Sequence, residues 1–238
     1  MDTNQARKTS ERQDGTGAWL LHLDIFTDWL VQSNTLFWLH GIPGSGKSVL
    51  CSTVINHVQR LSSDAAEKIL IYFYFDFSDD SKRSTENLTR SLISQLSSRK
   101  PYDQSLNETW KDSRTGKHAI TQFMLLGILF SLLEHYIDVV IVVDAIDEAE
   151  DPQAVMKVIG QIHDRKISHV HIMLSSRWTH TVEVTMRADG AYTLELDLSN
   201  VESDISTYVF ETVSRCQNWD EATQTRVSEL VISRAEGM

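Results

Sequence analysis

The sequence predicts an α/β fold: a three-layer sandwich in which a mostly parallel sheet is covered by helices on both faces, followed by the start of a helical subdomain. Three observations carry that expectation. Apolar runs occur at Thr35–His40, Ile69–Phe77, Val139–Asp144, His169–Ser176 and Ala191–Leu198, and near-continuous runs of this kind are typical of strands buried on both faces. Segments of helical period separate them, and strand–helix alternation builds parallel sheets. After Ser199 the pattern turns wholly helical.

Taken in order, residues 1–14 are polar and aperiodic and are expected to form a linker. The first strand runs into a glycine-rich turn. A helix follows, with Val49, Val54, Ile55 and Val58 on one face. The second strand leads through the polar loop Ser78–Thr85 to a helix in which Leu88, Leu92 and Leu96 recur every four residues. The polar stretch from about Ser97 to His118 gives no clear pattern. A buried helix over Ala119–Tyr136 then delivers the chain to the third strand. Asp151 as N-cap and Pro152 at the first helical position mark the next helix, whose Val155, Val158, Ile159 and Ile162 form one stripe. Past the last strand, Ile205, Tyr208, Val209 and Val213 share a face, and Val227, Leu230, Val231 and Ala235 mark a final helix. The expected division is a linker at 1–14, an α/β domain at 15–199 and a truncated helical subdomain at 200–238, which suggests a piece of a longer protein.

One motif in the 15–199 domain points to its ligand. Gly41-Ile42-Pro43-Gly44-Ser45-Gly46-Lys47-Ser48 fits G-x-x-x-x-G-K-[ST] between a predicted strand and a predicted helix, the context that a P-loop requires. Its glycines allow a nest of backbone N–H groups around phosphates, and the helix N-terminus adds its positive dipole end. Lys47 is expected to reach the β- and γ-phosphates and the Ser48 hydroxyl to ligate Mg²⁺. With Val49 these residues make up the expected ATP/ADP-binding set.

The third strand drives "VVIVV" into Asp144, Asp147, Glu148 and Glu150. A parallel sheet binds ligands beyond the carboxyl ends of its strands, so Asp144 faces the same crevice as the P-loop and is expected to be metal-associated, holding Mg²⁺ through water. Glu148 is the candidate for polarising an attacking water, with Asp147 as its neighbour and expected partner. The plainer alternative is that these acids cap the following helix. Ser175, Ser176 and Arg177 end the next strand, and Arg177 there could sense or stabilise a γ-phosphate.

Ala145 follows Asp144, and the acidic pair comes three and four positions after the aspartate. In this spacing "VVIVVDAIDEAE" resembles the NACHT type of signal-transducing NTPase, and "SSR" resembles that family's first sensor. "GTGAWLL", "FTDWL", "LFWLHGIPGSGKSVLCSTVI" and "YFYFDFSDDSKRSTENLTRSLISQL" are similar to the amino-terminal NTPase region of nephrocystin-3-like proteins, which are abundant in fungi with ankyrin or WD-type repeats. The likeness covers roughly Gly15 to Met238. It implies an ATP/ADP-controlled oligomerisation switch in a multidomain, NLR-like receptor, with slow hydrolysis and self-association through the NTPase domain. Gly15, Thr16 and Trp19 match the segment that enters the nucleotide domain, on the adenine or ribose side; a core anchor is the alternative for Trp19. A P-loop kinase acting on a small acceptor, or a scaffold that does not hydrolyse ATP, are the competing readings. A GTPase is disfavoured, because no N/T-K-x-D motif occurs.

Composition bounds the rest. A net charge of −11 argues against binding to a nucleic-acid backbone, and the scattered tryptophans make no stacking platform. Cys51 and Cys216 fit no disulfide framework or zinc pattern, and no signal peptide is evident, so a cytoplasmic setting is expected. Ala119–Leu133 is shorter than the roughly 20 apolar residues of a membrane span. His169 and His171 alternate on a strand and are expected to share a face as packing or hydrogen-bonding groups. Cys51 is expected to be a buried small hydrophobe and Arg83 to lie on an exposed turn.

Overall fold

Strand β1 (Thr35–Gly41) is buried along its whole length, as its run of apolar residues requires. The computed structural model describes residues 16–62, 68–98, 121–167, 169–216 and 218–235. The expected linker and most of the polar stretch before the third strand lie outside them. Around β1 the chain lays down β2 (Lys68–Tyr74), β3 (Asp138–Asp144), β4 (Val170–Ser176) and β5 (Tyr192–Leu196) in the order β2-β3-β4-β1-β5. Every neighbouring pair is parallel, so the sheet is wholly rather than mostly parallel among the described residues.

The layers follow from the two-residue period of strands. Val139, Ile141 and Val143 join Trp38, Ile71 and Leu174 in one core. It is covered by α3 (Thr85–Ser97), α4 (Gln122–Leu133), α5 (Pro152–Asp164) and α6 (His180–Ala188). Val140 and Val142 point the other way, onto α1 (Asp24–Val31) and α2 (Lys47–Ser62), beside Phe37, Leu39 and Met173. Helix starts are set by side-chain caps: Ser84, Thr121, Asp151 and Thr179 accept from Asn87, Met124, Ala154 and Val182 N–H groups. Ile141, fully buried at the centre of β3, gives a direct test of this core. Ile141→Ala should cost about 2–5 kcal/mol, read as a lower urea midpoint at unchanged slope.

Several boundaries differ from expectation, each for a local reason. β2 stops at Tyr74 rather than Phe77, because Asp76 turns the chain by accepting from Ser78 N–H at 2.9 Å. The buried α4 begins at Gln122, one residue after its threonine cap. β5 is an edge strand pairing β1 alone, and its burial alternates instead of running continuously. His169 and His171 do not share a face. His169 precedes β4 and reaches the Leu133 carbonyl on α4 at 3.1 Å, while His171 reaches Trp29 O on the opposite layer at 3.1 Å. Both still serve as hydrogen-bonding groups.

Helices α1 and α6 were not expected. α6 is short and rich in β-branched residues of modest helix propensity, and only Val182 and Met186 are buried along it. After β5 come α7 (Leu198–Ser214) and α8 (Glu221–Ala235), which pack against each other. Of the apolar face expected on α7, Val209 and Val213 are buried, together with Val201, but Tyr208 is half-exposed. On α8, Leu230 and Val231 are exposed and Ser228 is buried in their place. No helix among the described residues is long and apolar enough to cross a membrane.

Candidate functional site

β1 ends where β5 leans closest. Gly41 pairs with Leu196, and a Cβ on Gly41 would meet the Leu196 carbonyl oxygen at 2.9 Å, so a side chain there would displace backbone. The loop then turns, with Ser45 N–H donating to Ile42 O at 3.2 Å. Gly46 adopts φ +86°, a conformation costly for other residues. Helix α2 begins at Lys47, so its first-turn N–H groups, which lack intrahelical partners, open onto the loop. The Lys47 ammonium sits in the curve of that loop, donating to Gly41 O at 2.8 Å, Ile42 O at 2.7 Å and Ser45 Oγ at 3.3 Å. Burial lowers its pKa; the nearby Asp147 and Asp144 carboxylates oppose that shift.

Two strands over, Asp144 ends β3 and is only 2% exposed. Ser175, the fully buried penultimate residue of β4, donates its hydroxyl to Asp144 Oδ1 and accepts from Ala145 N–H at 2.9 Å. Ala145 itself is left-handed, at φ 59° and ψ 50°, which turns the chain sharply out of the strand. A single 3₁₀ turn, Ile146–Glu148, follows.

Asp147 and Glu148, within that turn, and Glu150 after it do not supply the N-cap of α5, since Asp151 does so. Asp147 is clamped at both oxygens by Arg177: Oδ1 accepts from Arg177 N–H at 3.0 Å, and Oδ2 lies 3.0 Å from Arg177 Nε. The exposed Arg177 guanidinium is thus anchored at the rim of the crevice, and Asp147 is its partner rather than Glu148's. Glu148 accepts from Phe77 N–H at 3.3 Å. Desolvation raises its pKa above the ordinary carboxylate value, helped by Asp147, Asp76 and Asp144 and opposed by the Phe77 N–H. Arg83 keeps to an exposed turn, paired with Asp80 at 3.1 Å. Cys51 is buried behind the loop.

These groups enclose a cavity of about 300 Å³ lined by Lys47, Ser48, Asp144, Asp147, Glu148 and Arg177. Across the P-loop lies a second cavity of about 320 Å³, mostly apolar, with Thr16, Val49, Leu50, Val201, Ile205 and Tyr208 in its walls. Gly44, Gly46 and Val49 border both; Ile42 projects away, half-exposed. The sequence reading missed the α7 contributors. Their positions carry no motif, and they meet the P-loop only because α7 returns across it. Trp19 is not in that wall; its indole Nε1 donates to Asp204 at 3.1 Å. Gly15 lies outside the described residues.

The family model described as Nephrocystin 3, N-terminal, matches residues 15–177. The chain belongs to the nephrocystin-3 N-terminal family. The match ends at Arg177, so the likeness expected from there to Met238 is not part of it. Among solved structures, a DNA replication initiation factor is similar at a TM-score of 0.52 and 10% identity, over 91% of this chain and 56% of that one. ORC1 of Aeropyrum pernix, solved in complex with DNA, gives 0.48 and 12%, over 76% and 49%. A Walker-type ATPase of Pyrococcus abyssi gives 0.48 and 14%, over 97% and 62%. The chain thus spans about half of these proteins' lengths, and at such identities the likeness is one of fold. No curated protein matches. Within the nephrocystin-3 N-terminal family, this chain has the P-loop NTPase fold, a three-layer α/β sandwich.

The Ser175 contacts allow a further prediction. Ser175→Ala strips Asp144 of its orienting donor and leaves the Ala145 N–H unpaired. Losing a group that orients a metal ligand typically costs about 10–100-fold in metal affinity. If Asp144 holds Mg²⁺, as its sequence position leads us to expect, a loss of that size should appear in the Mg²⁺ dependence of nucleotide binding by calorimetry; an unchanged dependence would overturn that expectation for Asp144.

Proposed function

We propose that this domain is an ATP/ADP-binding signal-transduction module, a nucleotide-controlled oligomerisation switch with slow, Mg²⁺-dependent ATP hydrolysis. One observation carries this reading: a single phosphate-binding loop separates a charged cavity from an apolar one. A nucleoside triphosphate has the matching division, with its phosphates on the charged side and its base on the apolar side.

The residues then take separate roles. The loop's N–H groups and Lys47 bind the phosphates. The Ser48 hydroxyl and the Asp144 carboxylate are hard oxygen donors that suit Mg²⁺, and Ser175 aims that carboxylate. The metal would neutralise phosphate charge. Glu148, held by Phe77 and raised in pKa, is placed to accept a proton from water. Arg177, steadied by Asp147, presents a cation to the γ-phosphate.

A switch needs a nucleotide that distinguishes two states. The α7 wall of the base cavity belongs to a different part of the fold from the phosphate residues, so closure over ADP and over ATP can differ. The half-exposed or more exposed apolar side chains of Ile42, Phe77 and Trp178 belong to the P-loop, to the segment on Glu148 and to the residue after Arg177. They support self-association at this face. The resemblance to multidomain NLR-like receptors, ankyrin- or WD-repeat proteins of fungi among them, supports further domains on a longer chain and a cytoplasmic setting.

The test is to purify the chain, denature it and identify any released nucleotide by chromatography, then follow ATP turnover with and without added acceptors. Near-stoichiometric ADP and slow turnover are expected. Rapid multiple-turnover transfer to an acceptor would replace the switch by a kinase.

A further inference from the structure

The apolar cavity contains one charged side chain. Asp204 of α7 lines it beside Val201, Ile205 and Tyr208. One of its oxygens is fully engaged: Oδ2 accepts from Gly17 N–H at 2.7 Å and from Trp19 Nε1–H at 3.1 Å, 187 and 185 residues away in sequence. The carboxylate is therefore fixed in place by two donors of the amino-terminal segment. The other oxygen, Oδ1, has no partner among the described residues.

A mostly apolar cavity that offers one fixed carboxylate acceptor favours a ligand with one matching donor. Among purines the edge that distinguishes adenine carries an amino donor at position 6, whereas guanine and hypoxanthine carry an oxygen acceptor there. A carboxylate can read guanine by taking two ring-edge donors with two oxygens, but Oδ2 is already saturated by Gly17 and Trp19. Opposite Oδ1, a 6-oxo group would face a carboxylate oxygen, acceptor against acceptor. We infer that Asp204 is the base-specificity residue of this site: its Oδ1 accepts the 6-amino group of adenine and rejects 6-oxopurines. This rests on the proposal that the two cavities hold a nucleoside triphosphate. It adds a second role for α7, because the residue that selects the base also ties this helix to the amino-terminal segment at Gly17 and Trp19.

Asp204→Asn separates these roles. The amide oxygen can still accept from Gly17 and Trp19, while the amide nitrogen replaces Oδ1 with a donor. The full chain should bind ATP about ten-fold or more tightly than ITP, because a site built to bond a group rejects the analogue that leaves it unpaired. In Asp204→Asn that ratio should collapse or invert, with inorganic tripolyphosphate binding unchanged as a measure of the phosphate cavity. A ratio unchanged in folded Asp204→Asn overturns the assignment. A second measurement needs no variant: purine riboside triphosphate, which has hydrogen at position 6, should bind the natural chain about ten-fold more weakly than ATP, and equal affinity also overturns it. If neither tripolyphosphate nor any nucleotide binds, the nucleotide reading itself fails. If all purine triphosphates bind alike, only the base assignment fails.

Discussion

Lys47→Ala should remove nucleotide binding while leaving the sheet intact. The ammonium sits at the focus of the loop, held by Gly41 O, Ile42 O and Ser45 Oγ, and burial lowers its pKa. Truncating one partner of a buried, hydrogen-bonded charge pair costs about 2–5 kcal/mol. That corresponds to roughly 30- to 5,000-fold in Kd for ATP. The fold should tolerate the change, because Lys47 lies at the first turn of α2 and outside both cores. Calorimetry with MgATP, beside a thermal melt of both proteins, checks both halves. Unchanged affinity in a folded variant would falsify the P-loop assignment.

Glu148→Gln is expected to act on the chemistry alone. The variant keeps the shape and an oxygen that can accept from Phe77 N–H, so ATP should remain bound. It cannot take a proton, so hydrolysis should slow by about 10²–10⁴-fold. The pH profile adds a second readout. Desolvation raises the Glu148 pKa above the ordinary value of 4.5. A base works only when ionised, so the rate should fall as pH drops through that raised value, with an acidic limb above 4.5 that the glutamine variant lacks. Stability carries the opposite sign. As pH rises from the ordinary value to the raised one, the unfolded chain ionises first. Glu148 therefore costs stability over that window, and the glutamine variant should escape the loss. Wild-type turnover in Glu148→Gln would return this residue to a structural contact with the segment at Phe77.

The loop and the strand-end acids were legible for a simple reason. Both motifs are local: Gly41 to Ser48 and Asp144 to Glu148 are continuous stretches whose chemistry depends on adjacent residues. The strand expectations worked because a strand buried on both faces has nowhere to place a polar side chain, as Ile141, Val142 and Val143 show. Where burial is one-sided, as along β5, or a helix is short and rich in β-branched residues, as in α6, the pattern weakens.

Pairing between distant residues escaped the sequence altogether. Nothing near Asp147 indicates that it spends both carboxylate oxygens on Arg177, leaving Glu148 to Phe77. His169 and His171 differ by two positions, yet they bond to opposite layers because the strand begins between them. The sequence by itself determined the strand–helix alternation, the phosphate loop and the acids at the end of β3, since each is written in residues close along the chain. Only the tertiary structure decided the order β2-β3-β4-β1-β5, the Ser175 contact that aims Asp144, and the apolar cavity closed by α7 with Asp204 tied to Gly17 and Trp19. Those depend on which segments of near-equal hydrophobicity pack together, a choice made by the summed contacts of the whole core and recorded in no short stretch of residues.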